Sequence, residues 1–157
     1  MVELKKVCII ASKGTLDMAY PPLMIATGAA DMGAEVHLFF TFWGINIILK
    51  DKAEKLGISP VGKPEMPMPM PNILSVLPGM TPLATKMMKD QIKKSGIASI
   101  PKLIKMAHKA GVHFYACSPT MGMMKIKKED LIPEVEKILG VAGFLDIAAD
   151  SNITLFI

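Results

Sequence analysis

The stretch Tyr115-Ala-Cys-Ser-Pro-Thr-Met-Gly-Met-Met-Lys125 places a cysteine where an apolar run gives way to Ser-Pro-Thr and a methionine cluster. Cys117 reads either as a small core residue, the commonest fate of a free cysteine, or as a thiol held out for chemistry. Position alone does not separate the two. The residues after it turn toward a segment that can open a helix. Free N–H groups there, with Lys125, Lys127 and Lys128 following, would favour a thiolate. A general base is harder to find. His113 shares the strand face of Cys117, but four residues at about 3.3 Å each put it on the order of 13 Å away. His108 falls on the preceding helix and His37 in another strand. Without a Cys–His dyad, protease-like acyl transfer is disfavoured. A lone activated thiolate suits attack on a sulfane sulfur, which leaves a persulfide on Cys117 and needs no proton shuttle. Cys8 lies mid-strand between Val7 and Ile9 and reads as core. The two cysteines form no CxxC and no zinc-type Cys/His spacing, so neither a metal nor a cofactor is expected.

The elements that must position Cys117 alternate between strand and helix. "KKVCIIAS" (5–12) and "EVHLFF" (35–40) are short apolar runs typical of buried strands. Between them Thr15 suits an N-cap, Pro21 and Pro22 should kink or restart the helix, and Gly33 ends it. "FWGINIILKDKAEKLG" reads as a second helix, closed by Gly57. Thr81 and Pro82 open a helix to about Lys94, and Ser99 begins one ended by Gly111. "VHFYAC" (112–117) is the third strand, 128–150 is mostly helical with breaks near Pro133 and Gly140, and "NITLFI" (152–157) is the last strand. This order predicts one three-layer α/β/α domain over residues 1–157, with a mainly parallel sheet and a flavodoxin-like general form. Residues 58–80, six of them proline, form a Pro/Met-rich insertion or flap. Chemistry in such sheets gathers beyond the carboxyl ends of the strands, where Cys117 falls.

Composition narrows the partners. Net charge is +4, but all 18 basic residues are lysine. Without arginine forks, and with 6% aromatic residues, nucleic acid is not expected as a partner. Mean hydropathy is +0.40. The longest nearly apolar run, Leu38 to Leu49, has 12 residues, short of the roughly 20 that a bilayer span needs. The N-terminus shows no apolar secretion segment, so a cytoplasmic location with both thiols reduced is expected.

Other features have plainer readings. "SKGTLD" (12–17) follows the first strand, where such folds can cradle phosphate, but it lacks the glycine-lysine signatures and reads as a turn. Met66, Met68 and Met70 alternate with proline; a polyproline helix points them in different directions, against a copper site. Met121, Met123 and Met124 read as an apolar wall beside Cys117. Trp43, which also follows a strand end, lines the same pocket or packs in the core.

"FFTFWG" (39–44), "AGVHFYACSPTMGMMKIKKEDLI" (110–132), "KGTLDMAYPPL" and the terminal "LFI" resemble the DsrE/DsrF-like family of sulfur-trafficking proteins, in particular its branch labelled peroxiredoxin. The resemblance covers nearly the whole chain. It implies a DsrE-like α/β fold, a homo-oligomer, and a sulfurtransferase or sulfur carrier that exchanges sulfur with a small TusA-like carrier protein. Cys117 falls on the family's sulfur-accepting cysteine, with Ser118, Thr120, Met121, Met124, Lys125 and Trp43 as its pocket and thiolate-stabilising neighbours. Related sequences often read Cys-Gln-Met-Ser-Met-Asp-Val-Met-Gly here. Ser118, Pro119, Gly122 and Lys125 depart from that pattern; the missing acid at Gly122 and the added cation at Lys125 make the site more positive, which suits an anionic donor such as thiosulfate. The alternatives are a nucleotide- or flavin-binding module and a non-catalytic oligomeric scaffold.

Overall fold

In a computed structural model, residues 4–59 and 79–157 are described; most of the expected Pro/Met-rich flap lies outside them. Five strands, β1 (Lys6–Ala11), β2 (Glu35–Phe40), β3 (His113–Cys117), β4 (Val135–Leu139) and β5 (Ile153–Phe156), form one parallel sheet in the order β4-β3-β2-β1-β5. The expected α/β class holds. Side chains alternate across the pleat and divide the interior into two unequal cores. Val7, Ile9, Ala11, Val36, Leu38, Phe40, Phe114 and Ala116 face the larger one.

Helix α1 (Leu16–Asp31) covers that face, burying Leu16, Ala19, Leu23, Ala26 and Ala29 at the three- and four-residue spacing of one helical stripe. It continues as one helix through Pro21 and Pro22, so the helix does not restart there. Burial of Pro22 and Leu23 offsets the backbone bonds the prolines forgo; Leu23 alone contributes about 2 kcal/mol. Helices α2 (Met80–Lys94) and α3 (Ile100–Lys109) complete the layer, with Ile100, Leu103, Ile104 and Ala107 of α3 buried in it. Among the described residues the second face carries one helix, α5 (Val141–Ala148), an eight-residue segment in which Phe144 is the buried side chain. Short α4 (Ser118–Met124) leaves β3 without a loop.

Two expectations are corrected. Residues 42–57 are not an α-helix: a 3-10 helix spans Phe42–Ile48, then Leu49 makes an antiparallel bridge to Leu131 and turns follow. Gly44 and β-branched Ile45, Ile47 and Ile48 are weak helix formers, and all four are buried. Within 128–150, Val135–Leu139 is a strand, because pairing with the open edge of β3 outweighs the helix propensity of Glu136 and Lys137. Among the described residues no helix is long and apolar enough to cross a membrane.

Candidate functional site

Cys117 is the last residue of β3 and the N-cap of α4, at the carboxyl edge of the sheet. Its side chain makes no capping hydrogen bond to α4. The thiol lies on the second face, in a small cluster with Cys8, Phe39, Tyr115 and Phe144, and partly buried Ile10, Leu139, Ile147 and Ala148 pack against that cluster. A reachable thiol is what the sequence suggests. Cys117 is 2% exposed. Phe144 of α5 belongs to the same cluster and stacks on Phe39 with ring centroids 4.6 Å apart. Both cysteines are free thiols. Cys8 is fully buried in β1, and burial raises the pKa of its thiol. With β2 between their strands and several residues of offset, the two sulfurs belong to different ends of the face.

The expected companions of Cys117 separate. Met121 is buried in the larger core and Met124 packs against it, so neither belongs to the cluster that holds the thiol. The turn into α4 carries these side chains to the far side of the sheet plane. Met123, Ser118 and Lys125 are exposed, and Lys125 closes α4 with a left-handed φ of 54°. Trp43 is 64% exposed. It lines a cavity of about 500 Å³ with Lys13, Thr15 and Asn46. Two other cavities, of about 490 and 480 Å³, open between α1, α2 and α3 and beside β4; Cys117 lines none of the three.

Thr120 has a role its sequence position does not reveal. It is 3% exposed. Its Oγ1 accepts the Phe42 N–H at 3.0 Å and meets the Thr41 hydroxyl at 3.2 Å. Phe42 has a φ of +46°, a left-handed conformation that a bulky side chain rarely adopts. The helix that begins at Cys117 therefore holds the strained residue that precedes Trp43.

Below the cysteine cluster, the same face carries a polar ladder that sequence reading missed. His37 Nε2 lies 2.8 Å from Glu35 Oε1, and its Nδ1 lies 3.0 Å from the Tyr115 hydroxyl. A neutral ring with its proton on Nε2 donates to Glu35 and accepts from Tyr115, which satisfies all three groups. Burial lowers the pKa of His37 against the opposing pull of Glu35, and burial pushes Tyr115 up to about 12. His113 stacks on His37 at 5.0 Å and pairs with Glu136 at 3.0 Å. The signal for the ladder was the period-two run of His37 and Phe39 beside His113 and Tyr115. Among the described residues no group of three or more His, Cys, Asp or Glu could hold a metal ion.

The fold is a parallel α/β sheet with Cys117 at its carboxyl edge. The chain belongs to the DsrE/DsrF/DrsH-like family, whose model matches residues 3–156. It is 41% identical to the sulfur carrier protein DsrE2 of Allochromatium vinosum over 162 aligned positions, covering 99% of this chain and 100% of that protein. It is 32% identical to the protein YrkE of Bacillus subtilis, covering 99% and 98% of the two chains. Among solved structures, the ychN protein of E. coli superposes with a TM-score of 0.59 at 11% identity, covering 98% of this chain and 99% of that one. Protein MTH1491 of Methanobacterium thermoautotrophicum gives 0.55 at 10% identity, covering 96% and 98%. These two likenesses concern the fold alone.

Proposed function

We propose that the chain is a sulfur carrier in which Cys117 accepts sulfane sulfur and passes it to a small partner protein of the TusA type. The observation that carries this reading is the placement of Cys117: it closes β3 at the edge where parallel sheets gather their chemistry, on the thinly covered face. The 41% identity to a protein named as a sulfur carrier supports it. In the loading step the Cys117 thiolate attacks the sulfane sulfur of the donor. A new S–S bond forms, the donor's S–S bond breaks, and the leaving thiolate departs with the electron pair. With thiosulfonate donors such as tetrathionate, the product on Cys117 is an S-thiosulfonate and thiosulfate leaves. Unloading reverses the roles: a partner thiolate attacks the outer sulfur of the persulfide, and the Cys117 thiolate is the leaving group. Neither step needs a general base, which agrees with the engagement of His113 by Glu136. Access requires α5 to move aside, lifting Phe144 off Phe39. The assembly we propose is a homo-oligomer, which would cover the exposed apolar side chain of Phe156 and leave α5 free to move.

Intact-mass measurement after exposure to polysulfide or tetrathionate tests the reading. A sulfur-sized or thiosulfonate-sized gain is expected, absent from Cys117→Ser and retained in Cys8→Ser. A gain that follows Cys8 overturns the assignment.

A further inference from the structure

Strand β1 is where the sheet reverses direction: β2, β3 and β4 add successively on one side of it, and the chain then returns to lay β5 on the other. The loop that leaves β1 lies beyond the carboxyl ends of the strands, where ligands gather in open α/β sheets. In this chain the loop leaving β1 opens onto the cavity of about 500 Å³ lined by Lys13, Thr15, Asp17, Trp43 and Asn46. Its size falls within the range of small-molecule sites.

The wall of this cavity is a backbone seam built around two glycines. A Cβ on Gly14 would fall 2.0 Å from the Trp43 carbonyl oxygen, and one on Gly44 would fall 2.0 Å from that of Ala11. The Gly44 N–H donates to the Ser12 carbonyl at 3.0 Å, stitching the first loop to the 3-10 helix. Only glycine permits this approach. Phe42 adds its strained φ of +46°, held by the Thr120 hydroxyl. Strain of this kind persists where surrounding structure enforces it, and it clusters at ligand-binding positions. Its consequence here is to turn the chain so that the Trp43 indole stands 64% exposed at the cavity.

We infer that this cavity binds a mononucleotide, with the base stacked on Trp43 and the phosphate drawn to Lys13. An exposed indole beside a cation matches a flat heterocycle that carries negative charge. Lys52, which donates to Asn46 Oδ1 at 3.0 Å, adds a second cation beside the cavity wall. Lys13 is the lysine of the lining itself, and Asp17 its carboxylate. The site stands apart from Cys117 and does not rest on the sulfur-carrier reading.

Trp43 is the single tryptophan of the chain, so its fluorescence reports the site directly. Titration with AMP is expected to quench it saturably below about 1 mM, with adenosine at least about tenfold weaker and inorganic phosphate without effect on the indole. Lys13→Glu should weaken AMP binding about tenfold or more while circular dichroism stays native, and Cys117→Ser should leave the titration unchanged. Asn46→Ala, read the same way, serves if Lys13→Glu does not fold. The inference is overturned if quenching does not saturate in that range. It is equally overturned if adenosine binds as tightly as AMP, or if the folded variant at Lys13, or at Asn46 in its place, binds like the parent.

Discussion

Removing the Phe144 ring tests whether α5 is the gate over Cys117. Phe144 is 2% exposed and is the fully buried side chain of its helix. Burying a phenylalanine contributes about 1.5–3 kcal/mol, and its stack on Phe39 adds about 0.5–1.5 kcal/mol. Phe144→Ala should therefore lower the free energy of lifting α5 by about 3 kcal/mol. At about 1.4 kcal/mol per decade, labelling that passes through this opening should accelerate on the order of 100-fold. The assay is iodoacetamide modification followed by intact mass in a Cys8→Ser background, so that Cys117 is the reporter. Leu23→Ala supplies the control. It removes a fully buried side chain from the opposite core and costs global stability about 2–5 kcal/mol without touching α5. If Leu23→Ala accelerates labelling as strongly as Phe144→Ala, access runs through global unfolding and the gate is refuted. No acceleration in Phe144→Ala refutes it equally.

Three further outcomes follow from the geometry. Thr120→Val strips the acceptor from the Phe42 N–H, so urea denaturation should show a loss of about 1–3 kcal/mol, largely restored by Thr120→Ser. Gly44→Ala forces a methyl group against the backbone of Ala11 and should destabilise at the upper end of about 1–3 kcal/mol or prevent folding, read from urea midpoints and soluble yield. His37 has its folded-state pKa lowered, so the unfolded chain binds more protons below the ordinary value of 6.5. The melting temperature should fall as pH drops from about 7.5 to 5.5, and His37→Gln should flatten that slope.

Much of the fold was written in local patterns. β1, β2, β3 and β5 are apolar runs bounded by turn residues, and Gly33 and Gly111 end helices in left-handed conformations as their positions imply. β4 was hidden because Val-Glu-Lys-Ile-Leu has helix-forming charges and becomes a strand only by pairing with β3. The helix expected over 42–57 failed because Gly44 and β-branched Ile45, Ile47 and Ile48 are weak helix formers, and they are buried in a 3-10 helix instead. Within the site, the place of Cys117 at a strand end was legible. Its neighbours were not, because the turn into α4 sends Met121 to one core while the pleat sends Cys117 to the other. The cover over the thiol depends on where α5 crosses the sheet, which no local spacing encodes.

The asymmetry of the two cores bears on which cysteine can carry sulfur. Both thiols face the thin layer, so layer alone does not choose between them. Cys8 sits within β1, flanked by β2 and β5, fully buried and with its pKa raised by burial, so no sheet rim exposes it. Cys117 ends β3 at the rim of the sheet, and in the proposed role it is reached by displacing α5. A persulfide is reactive and vulnerable to stray thiols, and a cover that closes over it protects the cargo between donor and acceptor. On the thick side, held by α1, α2 and α3, the same cysteine would be sealed. At an open edge it would be unprotected. In the proposed carrier, placement at the rim of that face, with Phe144 of α5 stacked on Phe39, meets both demands.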